Sequence, residues 1–268
     1  MADYGDLEIS IIGAVFRMGG LTAALSFARR GFKKIDVYEN APALGFVGAG
    51  IQIAPNLIRV LDNLGIWKGS ALEVEPTRVS EVFVYDGATG ISHYAGHRAS
   101  LAGVIYDAAT AETSVHFHFG TTLVGVGSFG PGKVTFSVEE NDKTKRSIET
   151  DVLIGADGIK SVVRDSMLSS LGLVAEVEET GTAAYRLLLQ REQMEPYPEL
   201  LKLIDSNAVR RWIGEKRHLI AYPISNHTIF NIATAQPDVN FAGLTNATWT
   251  NKGDKSAMMS VFAEFCPL

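Results

Sequence analysis

The stretch Ile11–Leu25, IIGAVFRMGGLTAAL, decides how this chain is read. An apolar run enters Gly13, a helix-forming segment follows, and the next apolar run, Lys34–Glu39, closes on an acid. The order is strand, glycine turn, helix, strand, carboxylate. A βαβ unit built this way aims the backbone N–H groups at its helix N-terminus toward the strand ends. The usual glycine spacing, G-x-G-x-x-G, is not met: Val15 and Met18 stand in the second and third glycine positions, and the segment VFRM makes the turn two residues long for its type. Gly13 supplies the tight turn, and Gly19 and Gly20 allow close packing of helix on strand.

Glycines are needed in such a turn because a pyrophosphate approaches backbone N–H groups there without a Cβ in the way. Glu39 stands where a carboxylate accepts hydrogen bonds from a ribose hydroxyl, once the insertion is subtracted. A plain βαβ unit with no nucleotide is the other reading of the segment.

The bulk numbers narrow the rest. The chain has 268 residues, of which 46% are hydrophobic and 20% charged, enough for one large domain or two interleaved ones. A formal net charge of -6 argues against nucleic acid as a partner. Six His and one Cys, with no CxxC, HExxH or paired-His spacing, point to no metal site. The single Cys266 excludes an internal disulfide and suggests a reducing compartment. The acidic start MADYGDLE and the short apolar run after it resemble neither a signal peptide nor a membrane span, so a cytoplasmic protein without membrane attachment is expected. The Asn226-His-Thr and Asn246-Ala-Thr triplets are read as chance matches to a glycosylation pattern.

Along the chain, Leu7–Ile12 and Lys34–Glu39 read as strands and Gly19–Arg30 as the helix between them, stopped by Gly31. A glycine-rich loop follows, ALGFVGAGIQIAPN, and then a helix near Asn56–Leu64. A strand is expected at Glu81–Tyr85 and a helix at Ser100–Ala109, led by Arg98 and capped by Ser100. Val115–His118, Thr121–Val126 and Lys133–Glu139 alternate as antiparallel strands do, and Val152–Gly155 delivers a strand into a helix at Ser161–Leu168. After Gly172, Ala183–Gln190, Ala208–Ile213, His218–Tyr222 and Thr228–Ala233 read as a mostly antiparallel sheet, with a helix near Pro198–Ile204. The architecture expected is α/β, with α+β mixing in two interleaved domains.

Two further segments bear on chemistry. In Gly45–Asn56, GFVGAGIQIAPN, three glycines in six residues let backbone pass close to something flat or anionic, or else make a flexible loop. In Asp151–Arg164, DVLIGADGIKSVVR, a strand delivers Gly155, Asp157 and Gly158 into a turn before a helix, where open α/β sheets hold ligands. Asp157 is also readable as a helix cap alone.

These segments, together with HRASL at His97–Leu101, resemble the flavin-dependent aromatic hydroxylases of the salicylate hydroxylase type, and in flavour the fungal polyketide-pathway monooxygenases. That family carries GAGxxGL…E, VGAGIQIxPN, HRxDL and GADGxxSxVR. This chain has GAVFRMGGL…Glu39, VGAGIQIAPN, HRASL and GADGIKSVVR. The resemblance implies a Rossmann-like FAD-binding domain over residues 1–75 and 95–178, interleaved with an antiparallel substrate-binding sheet over 76–94 and 179–268. It implies FAD as prosthetic group, NAD(P)H as reductant and a small aromatic substrate. Glu39 would hold the adenosine ribose, and Gly13, Gly19 and Gly20 would line the pyrophosphate. Ala49, Gly50 and Gln52 would lie near the flavin, Arg98 would contact the cofactor, and Asp157 would be the acid of the DG motif. Arg186 and Tyr222 resemble the arginine and tyrosine that related hydroxylases use on phenolic substrates. A guanidinium orients and stabilises a phenolate, and a tyrosine relays its proton. Pairing of Arg186 with a surface acid, and a plain sheet role for Tyr222, are the alternatives.

The chain departs from the family pattern in the VFRM turn, in a short connection between Gly90 and Ser92, and at FAEFCPL, which stands before any GDAAHP segment. Gly253-Asp254 is followed by Lys-Ser-Ala instead. These departures raise a second expectation, a truncated, non-catalytic remnant or incomplete gene model of such an enzyme. A nicotinamide-only dehydrogenase explains neither VGAGIQIAPN nor the DG segment.

Overall fold

The computed structural model describes residues 4–14, 18–43, 49–67, 75–76, 78–79, 94–176, 178, 180–238 and 253–265. Val15, the Glu81–Tyr85 strand, the Gly90–Ser92 connection, Asn246 and Cys266 lie outside the described residues.

In chain order the elements are β1 (Glu8–Ile12), α1 (Met18–Ala28), β2 (Lys34–Glu39), β3 (Gly50–Ile53), α2 (Pro55–Asn63), β4 (Glu75–Pro76), β5 (Arg78–Val79), β6 (Tyr94–His97), α3 (Arg98–Thr110), β7 (Val115–Phe119), β8 (Thr121–Ser128), β9 (Val134–Glu140), β10 (Lys145–Thr150) and β11 (Val152–Gly155). Then follow α4 (Val162–Ser170), β12 (Thr182–Ala183), β13 (Arg186–Gln190), α5 (Arg191–Met194), α6 (Pro198–Ile204), β14 (Ala208–Gly214), β15 (Arg217–Ile224), β16 (Ile229–Pro237) and α7 (Lys255–Val261). They group into two compact units. The first comprises Met1–Gly48, Arg59–Leu72 and Arg98–Val177, and the second Ala49–Ile58, Glu73–His97 and Glu178–Leu268.

Unit 1 is built on a parallel sheet in the order β11-β1-β2-β7. Its central strand β1 is EISII with four of five residues buried, as a strand covered on both faces must be. Ile11 sits opposite Val37 on one side and Ile154 on the other. Leu25 of α1, Ala109 of α3 and Phe117 of β7 pack in one cluster with Leu64. Ile12 and Tyr38 pack instead on Leu123, Phe136 and Val138 of the antiparallel sheet β10-β9-β8, with Val163 of α4. Each fully buried aliphatic or aromatic side chain in these clusters contributes about 1.5–3 kcal/mol.

Unit 2 is built on β12-β16-β15-β14-β5, with β13 also paired to β16. The pairings are antiparallel except β14 with β5. Residues alternate between its faces. Ala221 and Phe230 meet Met194 of α5 and Ile204 of α6 on one side, while Val209, Tyr222 and Ile224 meet Ala95 of β6 on the other. A small sheet, β3-β6-β4, carries Ala95.

The mixed α/β class expected from the sequence is the one observed, and Lys34–Glu39, Val152–Gly155 and Pro198–Ile204 match residue for residue. Several expectations are corrected. Val115–Phe119 does not join an antiparallel set: it runs parallel to β2 as an edge strand, with Tyr38 opposite His118. The third antiparallel strand is β10, whose sequence KRSIET is too polar to announce itself. Ser100 is not the cap of α3, which starts at Arg98. Ala183–Gln190 is two strands, interrupted where the Tyr185 backbone N–H donates to Thr234 Oγ1 at 2.9 Å. Part of the glycine-rich loop is strand β3, hydrogen-bonded to β6 from Gly50 to Ile53. Among the described residues no helix is long and apolar enough to cross a membrane, and no three His, Cys, Asp or Glu side chains form a metal-binding group.

Candidate cofactor and substrate sites

In unit 1 the glycine turn is held from three sides. Gly13 has φ +94° and donates its N–H to the Tyr38 carbonyl at 2.8 Å, while Ala156 donates to the Ile12 carbonyl at 2.8 Å. A Cβ on Gly13 would stand 2.5 Å from the Ala156 oxygen, and a Cβ on Gly20 would stand 1.8 Å from the Gly13 oxygen. The first turn of α1 therefore rests directly on the backbone leaving β1, closer than any side chain permits. Gly19 differs: a Cβ there would meet nothing within 4 Å.

Glu39 ends β2 and is only 5% exposed. The Ala14 backbone N–H donates to its Oε2 at 2.8 Å and the Ala41 N–H to its Oε1 at 3.0 Å. The carboxylate thus anchors the backbone just past Gly13, and charge-assisted bonds of this kind are about twice as strong as neutral ones.

The DG segment lies in the same unit. Ser161 Oγ donates to Asp157 Oδ1 at 2.6 Å, and the Val163 N–H donates to Oδ2 at 3.2 Å. Ser161 Oγ itself accepts from the Arg164 N–H at 2.9 Å, as an N-cap does. Asp157 therefore works as an additional cap of α4. Arg98 opens α3. A cation at a helix N-terminus runs against the macrodipole.

Ala49, Gly50 and Gln52 belong to unit 2, with Gln52 opposite Ala95. The glycine at position 50 answers to neighbouring side chains: a Cβ there would meet Asn231 Cγ at 2.7 Å and Tyr222 Cε2 at 2.8 Å. The Gly50 N–H donates to Asn231 Oδ1 at 2.8 Å. Asn231 was missed by sequence reasoning. Its only signal is an amide inside the otherwise apolar strand start IFNIA.

Tyr222 lies directly across from Asn231, and Arg186 across from Ala233. Directly opposed residues share a face, as do residues two apart on one strand. Arg186, Ala233, Ile220, Asn231 and Tyr222 therefore share one face of the sheet. Arg186 is exposed and, among the described residues, makes no ion pair. Tyr222 is 5% and Asn231 2% exposed.

Burial pushes the Tyr222 hydroxyl up to about 12, with the Arg186 guanidinium pulling it back down in part. The Tyr38 hydroxyl is raised to about 12 as well, first by burial and then by Asp36. Tyr222 is thus a neutral donor at physiological pH and not a resting base. Because both folded values exceed the unfolded value near 10, the stability these groups contribute is complete below pH 10 and is lost as pH climbs toward 12. Each is worth up to about 2–3 kcal/mol on that basis. We expect two of the eight tyrosines to form tyrosinate only as the chain unfolds, read by parallel absorbance and circular dichroism titrations. Ionisation of all of them near pH 10 with the fold intact would contradict the burial argument.

A profile of the FAD binding domain family matches residues 6–184. The chain belongs to that family. It is 26% identical to the FAD-dependent monooxygenase ntnJ of Nectria sp over 96% of this chain and 60% of that protein. To the 3-hydroxybenzoate 6-hydroxylase of Polaromonas naphthalenivorans it is 29% identical, over 98% of this chain and 64% of the relative. Its fold matches the structure titled "Salicylate hydroxylase substrate complex" with a TM-score of 0.69 at 20% identity, covering 97% of this chain and 63% of that one. The chain thus spans about three fifths of the length of the curated relatives it matches.

The described backbone at the glycine turn of this family member has the shape such a cofactor needs. Gly20 brings a helix N-terminus onto a strand end with no Cβ between, the cradle a pyrophosphate uses. Glu39 holds a carboxylate at the neighbouring strand end, where a ribose is bound in such folds.

Proposed function

We propose that this chain serves as an FAD-dependent monooxygenase that hydroxylates a phenolic, polyketide-type aromatic with NAD(P)H and O2. On this reading Gly13, Gly19, Gly20 and Glu39 hold the adenosine diphosphate part of FAD, with Arg98 and Asp157 contributing from α3 and the turn before α4. Ala49, Gly50 and Gln52 lie toward the flavin ring, and the unit 2 sheet takes the substrate. Bound FAD supplies the reduction of O2 by NAD(P)H, one oxygen atom going to a ring carbon and the other to water.

The observation that carries the reading is that the exposed Arg186, which makes no ion pair among the described residues, shares one sheet face with the buried, protonated Tyr222, in a chain of the FAD-binding family. A guanidinium holds a phenol as its phenolate, which loads electron density onto the ring carbon that is to be oxidised. Tyr222 donates to the developing charge and exchanges a proton with it. The apolar neighbours Ala233 and Ile220 exclude water from the ring.

The purified chain should carry flavin, seen by visible absorbance, and should oxidise NADPH faster when 3-hydroxybenzoate or salicylate is added. Arg186→Ala should lower hydroxylation on the order of 10²-fold while leaving flavin content unchanged. Equal loss of both would make Arg186 structural. A chain that takes up FAD without turnover would favour the second reading, a non-catalytic scaffold.

A further inference from the structure

On the reading that gives Tyr222 the proton exchange with substrate, we propose that Asn231 is a positioning residue. It ties the Gly50 backbone down against the Tyr222 ring and so fixes where the tyrosine hydroxyl stands. Asn231 is 2% exposed, with Tyr222 directly opposite on one flank and Leu188 on the other. A buried amide in such surroundings costs desolvation unless it is hydrogen-bonded. Its Oδ1 accepts from the Gly50 N–H at 2.8 Å, a bond between residues 181 apart in the chain.

That bond joins two sheets of unit 2. Among the described residues β3, which Gly50 opens, pairs with β6 alone and is no part of the sheet that carries Asn231 and Tyr222. The approach held by the bond is close. A Cβ on Gly50 would stand 2.7 Å from Asn231 Cγ and 2.8 Å from Tyr222 Cε2, the ring carbon next to the one bearing the hydroxyl. Backbone packed there takes the space that another rotamer of Tyr222 would need. It also helps to keep water from the hydroxyl, whose burial pushes its ionisation up to about 12. One hydrogen bond thereby sets the tyrosine against the strand start assigned to the flavin side.

Two variants of the full chain test this. Asn231→Ala removes the acceptor, whereas Asn231→Asp keeps an oxygen for the Gly50 N–H. The first readout is tyrosine ionisation by absorbance, which needs no turnover. In the wild type Tyr38 and Tyr222 ionise late, and Tyr222→Phe marks the share of Tyr222. Asn231→Ala should release Tyr222 alone, near pH 10, with the circular dichroism spectrum still that of the folded chain, and Asn231→Asp should keep both late. The inference is overturned if Asn231→Ala leaves both late, or releases both together as the fold is lost. The second readout is turnover of 3-hydroxybenzoate with FAD and NADPH. Asn231→Ala should lower kcat on the order of 10²-fold, as misplacing a reacting group does. KM should stay within about twofold, because Arg186 is untouched, and Asn231→Asp should restore most of the loss. A loss carried by KM, or one that aspartate does not rescue, also overturns the inference. If Asn231→Ala frees Tyr222 yet turns over normally, the proton exchange given to Tyr222 is misassigned and the inference falls with it. In a chain without turnover the titration decides alone. Where the alanine variant does not fold, amide exchange of the wild type decides: a protected Gly50 N–H supports the tie, and a freely exchanging one overturns it.

Discussion

Replacing Gly20 with alanine should give a chain that takes up no FAD and unfolds at clearly lower denaturant. The added methyl would sit 1.8 Å from the Gly13 carbonyl oxygen and 3.0 Å from its carbon. Both are backbone atoms, so no rotamer change relieves the contact. The N-terminal turn of α1 must move off β1, and Leu21 and Leu25, each 0% exposed, move with it. Overpacking costs typically about 1–3 kcal/mol and more when the obstacle is rigid, against a total stability of about 5–15 kcal/mol. Gly19→Ala is the control. Its Cβ would meet nothing within 4 Å, and alanine is favoured over glycine in a helix by about 1 kcal/mol. Urea unfolding of the two variants should diverge sharply, and matching midpoints would show that the close approach of α1 to the strand end is not what the fold depends on.

Glu39→Gln should be nearly as damaging despite its near-identical shape. Each carboxylate oxygen accepts one backbone N–H, from Ala14 at 2.8 Å and Ala41 at 3.0 Å, at a position 5% exposed. An amide keeps one oxygen and turns its NH2 against the other N–H. The loss of a charge-assisted bond and the stranding of a buried donor together cost roughly 3 kcal/mol. On the proposed cofactor assignment, FAD affinity falls with it, by about 10²-fold for a lost contact of that strength. Denaturant midpoints and quenching of flavin fluorescence on titration read the two effects separately. A wild-type midpoint would mean that the Ala14 backbone does not need the carboxylate.

The parts of the fold legible in the sequence were those where local chemistry and tertiary role coincide. Val152–Gly155 is a short apolar run that ends in ADG, and Ser161 starts its helix by a side-chain cap that needs no distant partner. Strand direction was not legible. VHFHF alternates as a half-exposed strand would whichever way it runs, and only pairing with Lys34–Glu39 makes it parallel. The reason for Gly50 was hidden for the same cause: the atoms a Cβ would strike belong to Tyr222 and Asn231, more than 170 residues further along the chain. Asn231 was hidden twice over, because its partner Gly50 and its neighbour Tyr222 are both contributed by other strands.

The pairing of β1 with β11 has a consequence for biosynthesis. Ile9 pairs with Ile35 on one flank but finds its partner on the other only at Val152, so the strand that enters the glycine turn leaves the ribosome with one flank unpaired. That flank stays bare while some 140 further residues are made, which at about 5–20 residues per second is roughly 7–30 s. Throughout that interval the apolar IIG edge of the nascent chain is open to strand addition by neighbouring polypeptides. Yield in a heterologous host should therefore respond to trigger-factor-type chaperones and to slower growth temperature more than to any change at the surface of the finished molecule.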